Sequence, residues 1–323
     1  MAELLTIERW PVWANSLLLL LTIAMVVQGA HWVVESACRI AKRLGISELV
    51  IGLTVVALGT SAPEFGVTLT AALQGHGDIS VGNIVGSNIF NLGFILGGTA
   101  LVRAIPTTPT IVWRDMAVLA GATLLILLFI GLNQRLDRWE GALLFAGLVA
   151  YLVYLFVSRK AAPEREEEVS QILAAERPRP LWSDCIMLVV GLGCIVGGSH
   201  LLVLSASAIA RAFGLSEWVI AVTIVAAGTS APEFVVSLVG VLKGRYEMSA
   251  GNVVGSDLFN VLGVLGLSGA LSPMEVDPAA RASLMALSGM VFLVLIFMRT
   301  GWRVSRLEGL ALVLVARHTE EAG

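Results

Sequence analysis

Charge is the scarcest thing in this chain. Only 14% of its 323 residues are Asp, Glu, Lys or Arg, where a soluble domain carries roughly a quarter, and its mean hydropathy is +0.86. An ordinary soluble fold is excluded. The net charge of −3 says little about partners and gives no basic surface for nucleic acid, because the charges gather in loops and ends. Cysteine is scarce too. Cys38, Cys185 and Cys194 show neither paired nor metal-ligand spacing, so no disulfide framework is expected and all three read as small buried residues. The N-terminus has no basic stretch and no clear cleavage site, so its first apolar run is expected to be a retained helix rather than a leader.

What is abundant is apolar sequence, 57% of the chain. Ten runs are candidate spans, several reaching the roughly 20 residues that cross a bilayer as helix. They lie near residues 13–39, 47–73, 78–101, 114–132, 138–157, 182–212, 216–242, 247–270, 278–298 and 306–316. A linker from Ser158 to about Leu181 holds Glu164, Glu166, Glu167 and Glu168 and is too polar for lipid. The tenth run stops being apolar at Ala316. Its roughly ten apolar residues cover about half the hydrocarbon core, so the last helix is expected to be short, tilted or truncated.

The two halves are one pattern used twice. A shift of 169 residues superposes Gly29 on Gly198, His31 on His200, and the GTSAPE stretch ending at Glu64 on the one ending at Glu233. The same shift lays Gly82-Asn83-Ile84-Val85-Gly86-Ser87 on Gly251-Asn252-Val253-Val254-Gly255-Ser256, and a shift of 168 pairs Arg138 with Arg306 and Glu140 with Glu308. Five spans per unit is an odd number, so the second unit enters the membrane from the other side. The expected fold is an all-α polytopic membrane protein, with ten transmembrane helices as two inverted five-helix repeats. Residues 1–157 and 182–323 form the repeats, 158–181 join them, and helices 2 and 7 are broken. Inverted repeats belong to secondary transporters, with the site near the midplane at the repeat interface. Fifteen Lys and Arg lie on the linker's side and six on the other. The linker is therefore expected in the cytoplasm and both termini outside, the chain lying in the cell's inner (plasma) membrane.

Two carboxylates stand out. Glu64 is the only acid between Leu49 and Leu73, and Glu233 the only one between Trp218 and Leu242. An ionisable group at membrane depth is costly and by default marks a functional path. Pro63, read as lying in mid-helix, cannot donate to the carbonyl of Gly59, nor Pro232 to that of Gly228. Carbonyls freed in this way are tolerated only against protein or a polar cavity, and they suit hard cations. Thr60 shares a helix face with Glu64, with Ser61 close by, and Thr229, Ser230 and Glu233 repeat the arrangement. Ser87 and Asn91, like Ser256 and Asn260, stand four apart on the following helices. Carboxylate, hydroxyl and amide oxygens brought together make an oxygen cage for Ca2+ and, with less charge, for Na+. Gly82, Gly86, Gly251 and Gly255 read as close helix packing. Asn88 and Asp257 are balanced between supporting the cage and packing, His31 and His200 read as packing, and Glu48, Glu217, Glu140 and Glu308 as helix-start residues.

At these residues the chain resembles the cation/calcium exchanger superfamily, in the form of prokaryotic sodium/calcium antiporters. The paired GTSAPE and GN(I/V)VGS(N/D)(I/L)FN stretches are similar to its two α-repeats, here residues 52–97 and 221–266, and the resemblance covers nearly the whole chain. It implies Glu64 and Glu233 as shared Ca2+ ligands, with Thr60, Ser61, Ser87, Asn91, Thr229, Ser230, Ser256 and Asn260 lining the site. It also implies the carbonyls of Ala57 and Ala226 as Na+ ligands, and helices one and six as a sliding gate. One departure has consequences: many Na+/Ca2+ exchangers carry Asp where this chain has Asn260. The cage then holds two formal negative charges unless Asp257 turns inward, which leaves the Na+ stoichiometry open.

The expected function is secondary active antiport of Ca2+ against Na+ by alternating access. The chain is expected not to be an enzyme, to need no cofactor beyond the transported Ca2+ and Na+, and to have the lipid bilayer but no obligate protein as partner. The nearest alternative is Ca2+/H+ exchange on the same glutamates, since removal from water favours the neutral form of a carboxylic acid. An intramembrane hydrolase with a carboxylate dyad leaves the duplicated hydroxyls and amides without a role. A passive channel would carry flux without counter-transport, and a non-functional paralogue is suggested by the short last run alone.

Overall fold

The computed structural model describes residues 10–157, 180–214, 226–278 and 280–322. Helix α1 (Val12–Leu44) ends in left-handed Gly45, φ 65°, where the amides of Gly45 and Ile46 reach back to the carbonyls of Lys42 and Ala41. Helix α2 (Glu48–Thr60) starts on Ser47, whose Oγ accepts from the Val50 amide at 3.2 Å. It ends at Ser61, and α3 (Ala62–Leu73) leaves at 54° to it. Then come α4 (Gly77–Val102), the strand β1 (Ile105–Pro106), α5 (Ile111–Asn133), β2 (Arg135–Leu136) and α6 (Arg138–Val157). The second half holds α7 (Leu181–Ala212), α8 (Ala226–Thr229), α9 (Ala231–Leu242), α10 (Tyr246–Leu271), β3 (Met274–Glu275), α11 (Ala280–Arg299), β4 (Arg303–Val304) and α12 (Arg306–Ala322).

Among the described residues seven helices are long and apolar enough to cross a membrane, and the bent α2–α3 pair makes an eighth. The chain is thus an all-helical polytopic membrane protein. Most of the charged linker and the first part of the expected seventh span lie outside the described residues.

Helices α4 and α10 form the centre: their most apolar stretches are 72% and 89% buried, against 33% and 28% for α1 and α7. The halves interlock around them. Helix α6 packs on the end of α10 and α12 on the end of α4, while β1 pairs with β4 and β2 with β3. One apolar core runs through both, including Leu53, Leu92 and Leu119 with Leu258, Leu287 and Leu312. These contacts come in pairs that the 168–169-residue shift exchanges. Gly97 meets Gly309 as Gly266 meets Gly141, and Ile105 pairs with Val304 as Met274 pairs with Leu136. At both crossings the backbones touch: a Cβ on Gly97 would lie 2.8 Å from the Gly309 carbonyl, and one on Gly141 2.7 Å from that of Gly266. Outside this core α1 and α7 pack along their lengths, crossing at Gly29 and Gly191.

Two expectations change and one is refined. The last helix runs on past its apolar stretch, though it stays under the roughly 20 residues of a full span. Its 17 residues span about 25 Å at ~1.5 Å each, because the backbone stays helical after the apolar run ends. It begins with a reciprocal cap, in which the Glu308 amide donates to Ser305 Oγ (3.3 Å) and the Ser305 amide to Glu308 Oε2 (2.7 Å). Second, Pro63 and Pro232 are not in mid-helix. The breaks fall two residues earlier, at Ser61 (ψ 10°) and Ser230 (ψ 7°), and each proline is the second residue of a new helix, where a missing amide costs nothing. Third, Cys38 is buried but Cys194 is only half-buried and Cys185 is exposed on α7.

Gly141→Val drives a side chain into the α10 backbone and is expected to cost about 1–3 kcal/mol of stability. Gly121→Ala, with no described atom within 4 Å of the added carbon, is expected to leave melting of the detergent-purified protein unchanged.

Candidate cation site

The two helix breaks face each other. Because Ser61 and Ser230 sit in non-helical turns, their hydroxyls reach across. Ser61 Oγ donates to Glu233 Oε1 at 2.9 Å, and Ser230 Oγ donates to Glu64 Oε1 at 3.2 Å. The pair of contacts is reciprocal, since the shift that carries Ser61 to Ser230 carries Glu64 to Glu233. Each glutamate lies in the first turn of its helix, α3 or α9, where the helix dipole favours negative charge. Each is 1% exposed.

The surrounding polar groups come from α2, α4 and α10. Thr60 Oγ1 lies 3.3 Å from Asn252 Oδ1 and 3.4 Å from Ser256 Oγ. Asn91 Nδ2 donates to Asp257 Oδ1 at 3.0 Å, Asn260 Nδ2 to Asn88 Oδ1 at 2.9 Å, and Asn88 Nδ2 to the Asp257 carbonyl at 3.3 Å. Asn91 opens a π-turn over Asn91–Leu96, and Asn260 lies in the matching one, Phe259–Leu265. Such turns are frequent at functional sites. Ser87 and Ser256 are buried on α4 and α10, and Thr229 is half-buried on α8. The Ala57 carbonyl is not freed: it accepts from the Ser61 amide (3.0 Å) and from Thr60 Oγ1 (3.2 Å). Ala226 is the first residue of α8.

Asp257, balanced in the sequence between supporting the cage and packing, turns inward, fully buried, to meet Asn91. Two other asparagines were given no role from the sequence. Asn252 donates to Ser237 Oγ (3.0 Å) and the Glu233 carbonyl (3.3 Å), while Asn83 donates to Thr68 Oγ1 (2.9 Å). The duplication carried a signal for these, because Asn83 and Thr68 match Asn252 and Ser237 under the same 169-residue shift.

Five of these buried oxygens have no hydrogen-bond partner: Glu64 Oε2, Glu233 Oε2, Asn91 Oδ1, Asp257 Oδ2 and Asn260 Oδ1. All are acceptors, so the deficit is one of positive charge or donors. Each such atom costs about 1–3 kcal/mol when left unmet. Among the described residues no three His, Cys, Asp or Glu form a ready-made metal centre. The donor set is instead carboxylate, amide and hydroxyl oxygen, which suits a hard cation. An apolar cleft of about 510 Å3, lined by Leu58, Phe65, Phe145, Leu148 and Phe259, reaches Ser61 from one side.

The chain matches the family described as sodium/calcium exchanger protein over residues 15–157 and 184–315. It is 39% identical over 304 residues to CaxA of Alkalimonas amylolytica, spanning 93% of this chain and 95% of that one. It is 33% identical to the sodium/calcium exchanger MaX1 of Methanosarcina acetivorans, with the same coverages of 93% and 95%. Among solved structures, the sodium-calcium exchanger NCX_Mj soaked with zero Na+ and Ca2+ superposes with a TM-score of 0.84 at 25% identity, over 97% of this chain and 99% of that one.

Asn91→Leu leaves Asp257 without its donor in a dry interior and is expected to cost about 1–3 kcal/mol. Adding Asp257→Leu, which removes both polar partners, is expected to recover part of that loss in thermal melts.

Proposed function

The chain belongs to the sodium/calcium exchanger family, and from that premise we propose that it exchanges Ca2+ for Na+ by alternating access at the cage of Glu64 and Glu233. The observation that carries this reading is the set of five buried acceptor oxygens, from both halves, that lack a partner. A cation bound among them would supply the positive charge that such acceptors lack. The ligands proposed are Glu64 and Glu233, with Thr60, Ser61, Ser87, Asn91 and their counterparts Thr229, Ser230, Ser256 and Asn260. The carbonyls of Ala57 and Ala226 are weaker candidates, since that of Ala57 is already doubly bonded.

The full architecture is part of the proposal: ten spans as two inverted repeats, 1–157 and 182–323, joined by a cytoplasmic linker, with both termini outside. The exchange of contacts between the halves supports it, because residues related by the repeat shift meet across a pseudo-two-fold axis. Asn88 touches its own counterpart, Asp257. Helices α1 and α7, the least enclosed of the long helices at the site, would move against the α4–α10 centre to open one side at a time.

Asp257 bears on charge. With it three carboxylates, not two, lie at or near the cage, so three Na+ balance them where a single Ca2+ leaves one negative charge. Water is excluded there, and an unbalanced charge is expensive.

Ca2+ uptake into proteoliposomes preloaded with Na+ tests the reading. Uptake driven by a Na+ gradient is expected; uptake driven only by a pH gradient would make the same glutamates proton carriers and overturn Na+ coupling. Glu64→Gln and Glu233→Gln are each expected to reduce uptake at least about a hundredfold, the scale on which lost charged partners at buried sites act. Asp257→Asn is expected to retain exchange with one Na+ fewer per Ca2+, read from the reversal potential.

A further inference from the structure

We infer that the end of the molecule built on the β1–β4 strand pair is a binding site for an anionic phospholipid, whose phosphate is held by Arg103, Arg303 and Arg306. The strand pair brings distant segments together. Pro106 faces Arg303 in register, Arg306 Nη2 donates to the Val102 carbonyl at 3.1 Å, and the Thr107 amide donates to the Trp302 carbonyl at 2.9 Å. Residues 102–107 and 299–306 are therefore one surface, with Arg103, Arg299, Arg303 and Arg306 all exposed on it.

This surface has little acid to balance it. From 97 to 116 and from 290 to 310 the only acids are Asp115 and Glu308. Asp115 is buried and taken by Arg114 (2.6 Å) and Tyr151 (2.8 Å), and Glu308 is committed to Ser305. Glu247, next to Tyr246 in the chain, adds one acid to this neighbourhood. The matching end of the fold differs. Around β2 and β3 three arginines, Arg135, Arg138 and Arg281, stand among five acids, Asp78, Asp137, Glu140, Glu275 and Asp277, and Arg135 pairs with Asp137 at 2.8 Å. Under the repeat shift, Asp137, Glu275 and Asp277 become Ser305, Pro106 and Thr108. The scaffold is duplicated but its charge is not.

The arginines are also arranged for phosphate. Arg103 lies over the Tyr246 ring at 5.5 Å and Arg299 over the Trp302 ring at 4.6 Å, contacts that hold both guanidinium groups against this surface. Guanidinium edges bind phosphate oxygens in pairs. The surroundings select a lipid over a soluble anion. Leu101, Val102, Trp113, Leu307 and Leu310 are exposed beside the arginines, Leu307 by 78%, which places the basic groups at the rim of the apolar, lipid-facing wall. A headgroup there would have its acyl chains against that wall. Basic clusters at a bilayer surface attract anionic lipid in this way.

The test is native mass spectrometry of the purified full chain with phosphatidylglycerol and phosphatidylcholine added in turn. The wild-type chain is expected to keep phosphatidylglycerol preferentially, and Arg103→Gln/Arg303→Gln/Arg306→Gln to lose roughly fivefold in that preference for each arginine replaced. Arg303→Gln alone covers the case in which the triple variant fails to fold, and is expected to show one such step. Arg135→Gln/Arg138→Gln, at the other end, is expected to keep the wild-type preference. No preference in the wild type, or an equal loss at both ends, would overturn the inference. Displacement of the lipid by equimolar glycerol phosphate would also overturn it, by showing a soluble-anion site.

Discussion

A carboxylate held away from water must find a partner, and in this chain each broken helix finds it in the other. Ser61 serves Glu233 and Ser230 serves Glu64. Neither contact can form within one half, so the two halves must meet at this depth for either glutamate to be tolerated. The contacts also leave the second oxygen of each carboxylate open. The arrangement therefore holds two acids and leaves one oxygen of each open, which is where the proposed cation would act.

Bringing those breaks together depends on how closely the helices approach. Gly251 and Gly255 of α10 lie against α2: a Cβ on Gly251 would be 2.7 Å from the Leu49 carbonyl, and one on Gly255 2.7 Å from Leu53 Cα. A side chain at either position would push α10 away from α2, and with it Ser256 from Thr60. Without a hydrophobic drive between helices in lipid, this contact of small residues is what association rests on. The same glycines were legible as packing residues in the sequence, and their neighbours Ser256 and Asn252 show why the spacing matters for chemistry.

Much of the site was legible because it was written twice. Glu64 and Glu233 with their serines, and Asn91 with Asn260, could be found by superposing the halves. What escaped had no compositional mark. The break at Ser61 was misplaced because proline is a breaker in mid-helix but a good starter, and only the backbone reveals which role Pro63 has. The end of α12 was misplaced because hydropathy reports where lipid stops, not where the helix does. Asp257 was undecided because a regular helix turns it about 100° from Ser256. The helix is regular at both residues, and what draws Asp257 into the polar cluster is Asn91, which reaches it from α4, a contact between distant segments that no local pattern shows.

The departures from symmetry carry as much meaning as the repeat. A transporter made of two identical inverted halves would present the same cage to both sides and prefer neither opening. In this chain the halves match at Ser61, Glu64, Ser87 and Asn91, but Asn88 is answered by Asp257. The two counterparts touch, Asn88 donating to the Asp257 backbone while Asn91 donates to its carboxylate. Around Asp257 the first half therefore supplies the donating amides and the second the extra charge. Arg114, Asp115 and Tyr151 form a second unmatched group, tying α5 to α6, while the second half has Leu284 at the place that answers Asp115. A duplicated scaffold makes two openings possible. The unduplicated charges break the equivalence of the two openings; under the proposed exchange the ion gradients set the direction, and this asymmetry bears only on how strongly each opening is favoured and on the apparent affinity at each side.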